Sequence, residues 1–85
     1  MIYIDRPRRY GHKRKKYFHI GGSRKRLDTF AQLLGLGPHW GQRSNSGLYH
    51  YDAPEEFFDR AVEAGAEVVT RTEFLKRLKN DISSS

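Results

Sequence analysis

Apolar residues along the chain form short runs that predict strands, separated by segments typical of helices and turns. Residues 1–4 are apolar, and their β-branched and aromatic side chains predict a strand that ends at Asp5. Comparable runs at residues 17–20, 48–51 and 66–69 predict three more short strands. The polar stretch between the first two runs predicts a loop or arm.

Helical spacing of apolar residues predicts a first helix in the middle of the chain. Ser23 is placed to be its N-cap, and Gly35 supplies its C-terminal end. The apolar stripe of this helix consists of Leu27, Phe30, Ala31 and Leu34. Residues 36–47 are rich in Gly, Pro, Ser and Asn, and therefore predict the longest loop.

Two capping boxes predict the starts of two further helices. Residues 52–55 have the form of a capping box with Asp52 as N-cap and a proline in the first turn, and Gly65 ends the helix. Its inward residues are predicted to be Phe57, Phe58, Ala61 and Val62. Residues 70–73 form the second capping box, before a last helix whose predicted inward residues are Phe74, Leu75 and Leu78.

This alternation of strands and helices predicts an α/β fold. We expect one domain over residues 1–85, with a small single-layer, mostly parallel sheet of three to four short strands packed with three helices. Residues 82–85 are expected to form a flexible tail. A chain of this length has a small core and open strand edges, which favours a dimer without fixing the oligomeric state.

Composition excludes several classes of protein. The chain has no cysteine, which excludes disulfides, thiolate zinc sites and cysteine nucleophiles. No apolar run approaches the ~20 residues of a membrane helix, and the charges that follow residues 1–5 do not fit a leader sequence. We therefore expect a cytoplasmic protein with no membrane role.

Positive charge is concentrated in the first third of the chain. Residues 6–26 carry ten basic side chains and no acidic one, whereas the chain from Leu27 onward carries six basic and nine acidic side chains. The ten are Arg6, Arg8, Arg9, Lys13, Arg14, Lys15, Lys16, Arg24, Lys25 and Arg26. We call residues 6–26 the basic arm and expect it to attract an anionic partner.

The basic arm is interleaved with aromatic residues, a pattern that favours binding to nucleic acid. Lysine and arginine neutralise phosphates, and Tyr10, Tyr17 and Trp40 are candidates for stacking on bases. Alternatively, the arm is a solvated surface that keeps a small protein soluble. Trp40 fits a stacking residue and a cover for the core equally well.

Four polar residues at the ends of predicted strands form a candidate catalytic centre: Asp5, His19, His50 and Asp52. If the strands are neighbours in a parallel sheet, these side chains converge at one edge. Asp5, His50 and Asp52 are then candidate ligands of a divalent metal, and His19 a ligand or an acid–base group. The alternative gives each a structural role, with Asp52 as a helix cap and Asp5 paired with nearby arginines.

The chain resembles a bacterial and phage family known as domain of unknown function 4031. The resemblance covers nearly all of the chain and is most specific at His50-Tyr51-Asp52-x-Pro54, with Asp5, Gly11 and His19 also matching. It implies one short α/β domain and brings no established activity. This chain differs in carrying basic residues at 12–16 in place of an apolar-aromatic stretch, and Gly21-Gly22 in place of Ser-Asp.

Three functions are consistent with the sequence. The first is a binding module that grips nucleic-acid phosphates through the basic arm. The second is a metal-assisted hydrolase or nuclease that acts on a phosphodiester or a nucleotide, with the arm holding the substrate. The third is a phage or bacterial effector that binds an acidic surface of a host protein. The sequence does not decide whether the protein is an enzyme.

Overall fold

The computed structural model describes residues 2–9, 14–37, 40–43 and 49–83. Across these residues the chain forms short strands and three α-helices. The strands are β1 (Tyr3–Ile4), β2 (Arg8–Arg9), β3 (Lys16–Gly21), β4 (Gly41–Arg43), β5 (Tyr49–Pro54) and β6 (Glu67–Val68). The helices are α1 (Arg24–Leu34), α2 (Phe58–Glu63), which follows a 3-10 turn at Glu55–Phe57, and α3 (Arg71–Ser83).

The strands form one mixed sheet in the order β4-β5-β3-β1-β6, with β2 paired to the first half of β3. Among the described strands, only β1 and β6 are parallel neighbours, and the other pairs are antiparallel. The α/β class and the three helices are therefore confirmed. The prediction of a mostly parallel sheet with three to four strands was wrong, because the sheet is mixed and has more strands.

The strand β4 explains why the sheet is not parallel. It lies inside residues 36–47, which the composition predicts as a loop, and it pairs antiparallel with β5 from Gly41↔Tyr51 to Arg43↔Tyr49. The chain leaves β3, passes through α1 and β4, and turns back into β5. As a result β5 runs antiparallel to β3, although a helix separates the two in sequence.

Alternation along the strands sorts side chains onto two faces of the sheet. Phe18, Ile20, Tyr51 and Ala53 point to the face covered by α1 and α2, where the larger core cluster forms. Tyr3 and His19 point to the opposite face, where α3 packs Phe74 and Leu78 against Tyr3. The sheet is thus covered on both sides, and α3 covers the second face near β1.

Most of the helical predictions are confirmed. Leu27, Phe30, Ala31 and Leu34 are the buried residues of α1, and Gly35 ends it in the left-handed conformation at φ 88°. Ser23 occupies the N-cap position without a side-chain cap hydrogen bond. At α3, the Thr70 hydroxyl accepts a hydrogen bond from the Glu73 N–H at 3.1 Å, as expected for a capping residue.

Three positions differ from the helical prediction. Asp52 does not cap a helix, because β5 continues through Pro54 before the 3-10 turn begins. Val62 and Leu75 were expected to be inward but are 43% and 42% exposed.

The last helix continues through Ser83. No described helix is long and apolar enough to cross a membrane.

Candidate metal centre

The candidate centre lies on three neighbouring strands of the sheet. Register places His19 on β3 directly opposite Asp52 on β5. On the other flank of β3, the Asp5 N–H donates to the His19 carbonyl at 3.3 Å, one residue beyond β1. The four residues named as a candidate catalytic centre therefore come together through antiparallel pairing, and not through the carboxyl ends of parallel strands.

Asp5 holds His19 through two contacts. One carboxylate oxygen accepts the backbone N–H of His19 at 2.6 Å, and the other lies 2.7 Å from the ring atom Nδ1. The residue Asp5 is only 2% exposed. Because a carboxylate only accepts hydrogen bonds, Nδ1 carries the ring proton, and the lone pair of Nε2 points away from Asp5.

The Nε2 atom of His19 meets the side chains of His50 and Asp52. Asp52 Oδ1 lies 3.4 Å from Nε2 of His19 and 3.4 Å from Nε2 of His50. One ligand atom from each of the three residues lies within 4.8 Å of the other two. Two ligands on a tetrahedral ion with bonds of about 2.0–2.1 Å are about 3.3 Å apart, so the 3.4 Å separations fit a metal ion between them.

The donor set defines which ions suit this centre. Two imidazoles and one carboxylate are typical of zinc and of other first-row transition metals. A metal ion held by these three residues would keep at least one position for water or substrate, as catalytic zinc sites do. Asp5 stands outside this set of ligand atoms, behind His19, where its carboxylate orients the ring in the way that outer carboxylates orient metal-binding histidines.

The centre is enclosed but reachable from solvent. The side chains of His19 and Asp52 are each 19% exposed, and that of His50 is 13% exposed. The rings of His19 and His50 pack edge to face with centroids 5.3 Å apart, and Phe74 of α3 lies 5.7 Å from His19. These aromatic neighbours limit the movement of both imidazoles and exclude bulk water from one side.

The described cations of the basic arm lie on the surface. Arg6, Arg8, Arg9, Arg14, Lys15, Lys16, Arg24, Lys25 and Arg26 are exposed. Arg9 and Lys16 lie directly opposite each other on β2 and β3. Like charges directly opposite each other destabilise an antiparallel pair. The arm residues Tyr10 and Lys13 lie outside the described residues.

The aromatic residues proposed for stacking have different surroundings. Tyr17 is half-buried, on the sheet face of His19, and Trp40 packs against the larger core cluster. The core-covering alternative for Trp40 therefore fits its position. A tyrosine pair that no sequence motif marks lies on the other face, where the hydroxyls of Tyr49 and Tyr51 both donate to Asp28, at 3.4 and 3.0 Å.

Burial and these hydrogen bonds change the chemistry of Tyr51. Its pKa is raised well above the ordinary value of 10.0, mainly because the ring is buried, and also through its hydrogen bonds with Tyr49 and Asp28. Arg24 of the basic arm lies over the ring of Tyr49, with its guanidinium carbon 4.6 Å from the ring centroid. One described cation of the arm is thus already stacked on an aromatic ring.

Fold and site together define a small α/β protein with a mixed sheet and a histidine–carboxylate centre. The chain belongs to the family described as "Protein of unknown function (DUF4031)", whose sequence model matches residues 2–81. The resemblance stated from the sequence is thereby confirmed. No curated protein and no solved structure matches the chain.

Proposed function

We propose that the protein is a metal-dependent hydrolase that cuts a phosphate ester in nucleic acid or in a nucleotide. The observation that carries this proposal is the arrangement of His19, His50 and Asp52 around one point, with His19 oriented by Asp5. Both 3.4 Å separations from Asp52 Oδ1 to the two imidazole nitrogens are compatible with donors on one metal ion.

The chemistry follows from the donor set. A divalent ion held by His19, His50 and Asp52 would act as a Lewis acid and would make hydroxide available from water near neutral pH. In the proposed hydrolysis, the oxygen of water adds to phosphorus, the phosphorus–oxygen bond to the leaving alcohol breaks, and the alcohol oxygen takes up a proton. One phosphodiester and one water give one phosphomonoester and one alcohol.

The charge of the sheet supports a phosphate-bearing substrate. Arg8 lies opposite Tyr17, two residues from His19 on the same strand, so Arg8 belongs to the face of the sheet that carries the centre. A cation on this face attracts an anionic substrate toward the metal ligands.

Turnover of defined substrates tests the proposal. Labelled single- and double-stranded DNA and RNA, and a chromogenic phosphodiester, would be incubated with Mn²⁺, Zn²⁺ or Mg²⁺ and with chelator. We expect metal-dependent cleavage that Asp52→Asn reduces by at least about 100-fold, while circular dichroism shows an unchanged fold. Glu63→Gln, the same carboxylate-to-amide change on the exposed face of α2, is the control and should leave the rate unchanged. Absence of metal-dependent cleavage on every substrate would exclude hydrolysis.

A second candidate function is nucleic-acid binding without turnover, which the Arg9–Lys16 pair favours. A module that grips phosphates loses affinity steeply as salt rises, since each neutralised phosphate releases a counterion. Gel shifts at two salt concentrations, in chelator, would show intact complexes that vanish at high salt. Replacing Arg9 and Lys16 together by glutamine should weaken binding to all sequences alike. Affinity that does not change with salt would exclude this function.

A further inference from the structure

A cavity of about 240 Å³ lies beside the candidate metal centre, at the carboxyl ends of β1 and β6. It is lined by Asp5, Arg6, Arg8, Val68, Val69, Thr70 and Arg71. These residues come from two segments that lie about 60 positions apart in the chain, residues 5–8 and 68–71, so the sequence gives no hint that they meet. In particular, Arg71 lies far outside the basic arm.

The topology of the sheet makes this a natural ligand position. The neighbouring strands β1 and β6 are parallel, with Tyr3 beside Glu67 and Ile4 beside Val68, so both strands end at the same edge. Ligands of open α/β sheets bind outside the carboxyl ends of such strands. The helix α3 starts from this edge at Arg71, immediately after its capping residue Thr70.

The charges of the lining side chains select an anion. Three arginines, Arg6, Arg8 and Arg71, line the cavity, whereas Asp5 is its acidic residue. Both carboxylate oxygens of Asp5 are engaged by His19, at 2.6 and 2.7 Å, which offsets its repulsion of a second anion. Arginine also presents paired donors in a planar fork that matches the oxygens of phosphate.

The cavity and the metal centre are close enough to serve one substrate. Asp5 borders the cavity and binds His19, so one side chain joins the two sites. Arg8 lies opposite Tyr17, and His19 is two residues further along β3. Such diagonal neighbours on adjacent strands are ~7–8 Å apart, which is close to the spacing of successive phosphates along one strand of a nucleic acid.

We propose that Arg6, Arg8 and Arg71 form a phosphate pocket, which holds a phosphate group of the substrate next to the one that is cut. The assignment to a substrate rests on the proposed hydrolase function. Phosphate binding itself does not, because it requires neither metal nor turnover. The volume equals roughly eight water molecules of the liquid, which accommodates a phosphate group and part of the attached sugar.

Titration of the metal-free protein with inorganic phosphate tests the pocket directly. Amide chemical shifts would be followed by NMR in the presence of chelator, and affinity obtained from the shifts of Val69, Thr70 and Arg71. We expect saturable shifts at these residues. Arg8→Gln and Arg71→Gln should each weaken phosphate binding about tenfold or more, the usual effect of losing one charge-assisted hydrogen bond.

Arg60→Gln is the matched control. Arg60 carries the same charge as Arg8 and is also exposed, but it lies on α2, which packs on the other face of the sheet. The control should bind phosphate as tightly as the unmodified chain. Equal loss in Arg8→Gln and Arg60→Gln would reveal only a general charge effect and overturn the pocket, as would the absence of saturable shifts.

The same variants separate this proposal from the hydrolase proposal. Phosphate binding without turnover would support the phosphate pocket and contradict the hydrolase proposal. Turnover without phosphate binding at Arg8 and Arg71 would support the hydrolase proposal and contradict the phosphate pocket. If both hold, Arg71→Gln should raise KM for a nucleic-acid substrate more than for a chromogenic phosphodiester, which has no second phosphate to fill the cavity.

Discussion

The carboxylate of Asp5 binds His19 twice, through the backbone N–H at 2.6 Å and through ring Nδ1 at 2.7 Å. For the neutral ring, the second contact fixes the tautomer whose Nε2 lone pair is directed toward Asp52 and His50. Asp5→Asn should therefore invert the tautomer, because the amide NH₂ of asparagine donates to Nδ1 and moves the ring proton to Nε2. We expect metal affinity to fall about 10–100-fold.

Isothermal titration with Zn²⁺ or Mn²⁺ measures this effect on Asp5→Asn. If Asp5→Asn keeps the fold and binds metal as tightly as the unmodified chain, the orienting role of Asp5 is contradicted. Asp5→Ala is less informative, because it leaves a buried N–H without its acceptor and costs roughly 1–3 kcal/mol of stability.

Gly21 is expected to be intolerant of any side chain. A Cβ at this position would lie 2.5 Å from the Tyr3 ring and 3.0 Å from the Phe74 ring. These rings pack edge to face at 5.3 Å, and the Tyr3 hydroxyl donates to Asp81 at 2.7 Å, so neither moves freely. Gly21→Ala should destabilise the fold by about 1–3 kcal/mol in chemical denaturation.

Ser23→Ala serves as the control for the glycine variant, since Ser23 makes no side-chain cap hydrogen bond and lies two residues away. Its denaturation midpoint should stay close to that of the unmodified chain. Equal stability of Gly21→Ala and Ser23→Ala would show that the rings of Tyr3 and Phe74 yield without cost.

Two buried tyrosines predict a loss of stability in alkaline solution. Burial, reinforced by a hydrogen bond to Asp81, raises the pKa of Tyr3 above its ordinary 10.0, and burial likewise raises the pKa of Tyr51. A raised folded pKa contributes stability that is fully present below pH ~10 and is lost as pH rises beyond it. Denaturation midpoints should therefore fall above about pH 10.

Tyr3→Phe should make this alkaline decline shallower, because one of the two ionising groups is gone. The near-ultraviolet absorbance of tyrosinate gives an independent measurement. Ionisation of all the tyrosines near pH ~10, with the fold intact, would contradict the raised pKa values.

An ion pair between β6 and α3 predicts a small loss of stability in acid. Arg77 contacts both carboxylate oxygens of Glu67, at 2.9 and 3.0 Å, and lowers the pKa of Glu67 below its ordinary 4.5. Its contribution is present above the ordinary pKa and is lost as pH falls through the lowered value. Because the pair is exposed, Glu67→Gln should shift the midpoint of acid unfolding only slightly. Added salt should reduce the difference between the variant and the unmodified chain. A salt-independent effect would contradict an ion-pair origin.

The helices were predictable because their signals are local. The stripe of Leu27, Phe30, Ala31 and Leu34 with Gly35 at its end defines α1 by periodicity alone. Strand direction is not a local property. The direction of β5 depends on β4, whose sequence Gly-Gln-Arg lacks strand-forming side chains and resembles that of the neighbouring loop residues, so β4 was not predicted.

The candidate site was predictable in membership but not in geometry. Asp5, His19, His50 and Asp52 stood out as polar residues next to apolar strands, and the structure brings them together by register. The segment Asp52-Ala53-Pro54-Glu55 satisfies a capping pattern, which hid the continuing alternation of Tyr51, Asp52 and Ala53 along β5. Arg71 was missed because only the β1–β6 pairing brings it to Asp5.

The strand β3 is paired along both flanks, with β1 and β2 on one side and β5 on the other. Its amides should therefore exchange with deuterium only when the whole domain opens, so that their exchange rate reports global stability. A ligand that binds only the folded chain slows such exchange by the factor one plus its concentration over Kd. The exchange rates of the Phe18 and Ile20 amides therefore measure the fraction of the protein that has bound a ligand. Metal and phosphate can be titrated separately and then together in this way.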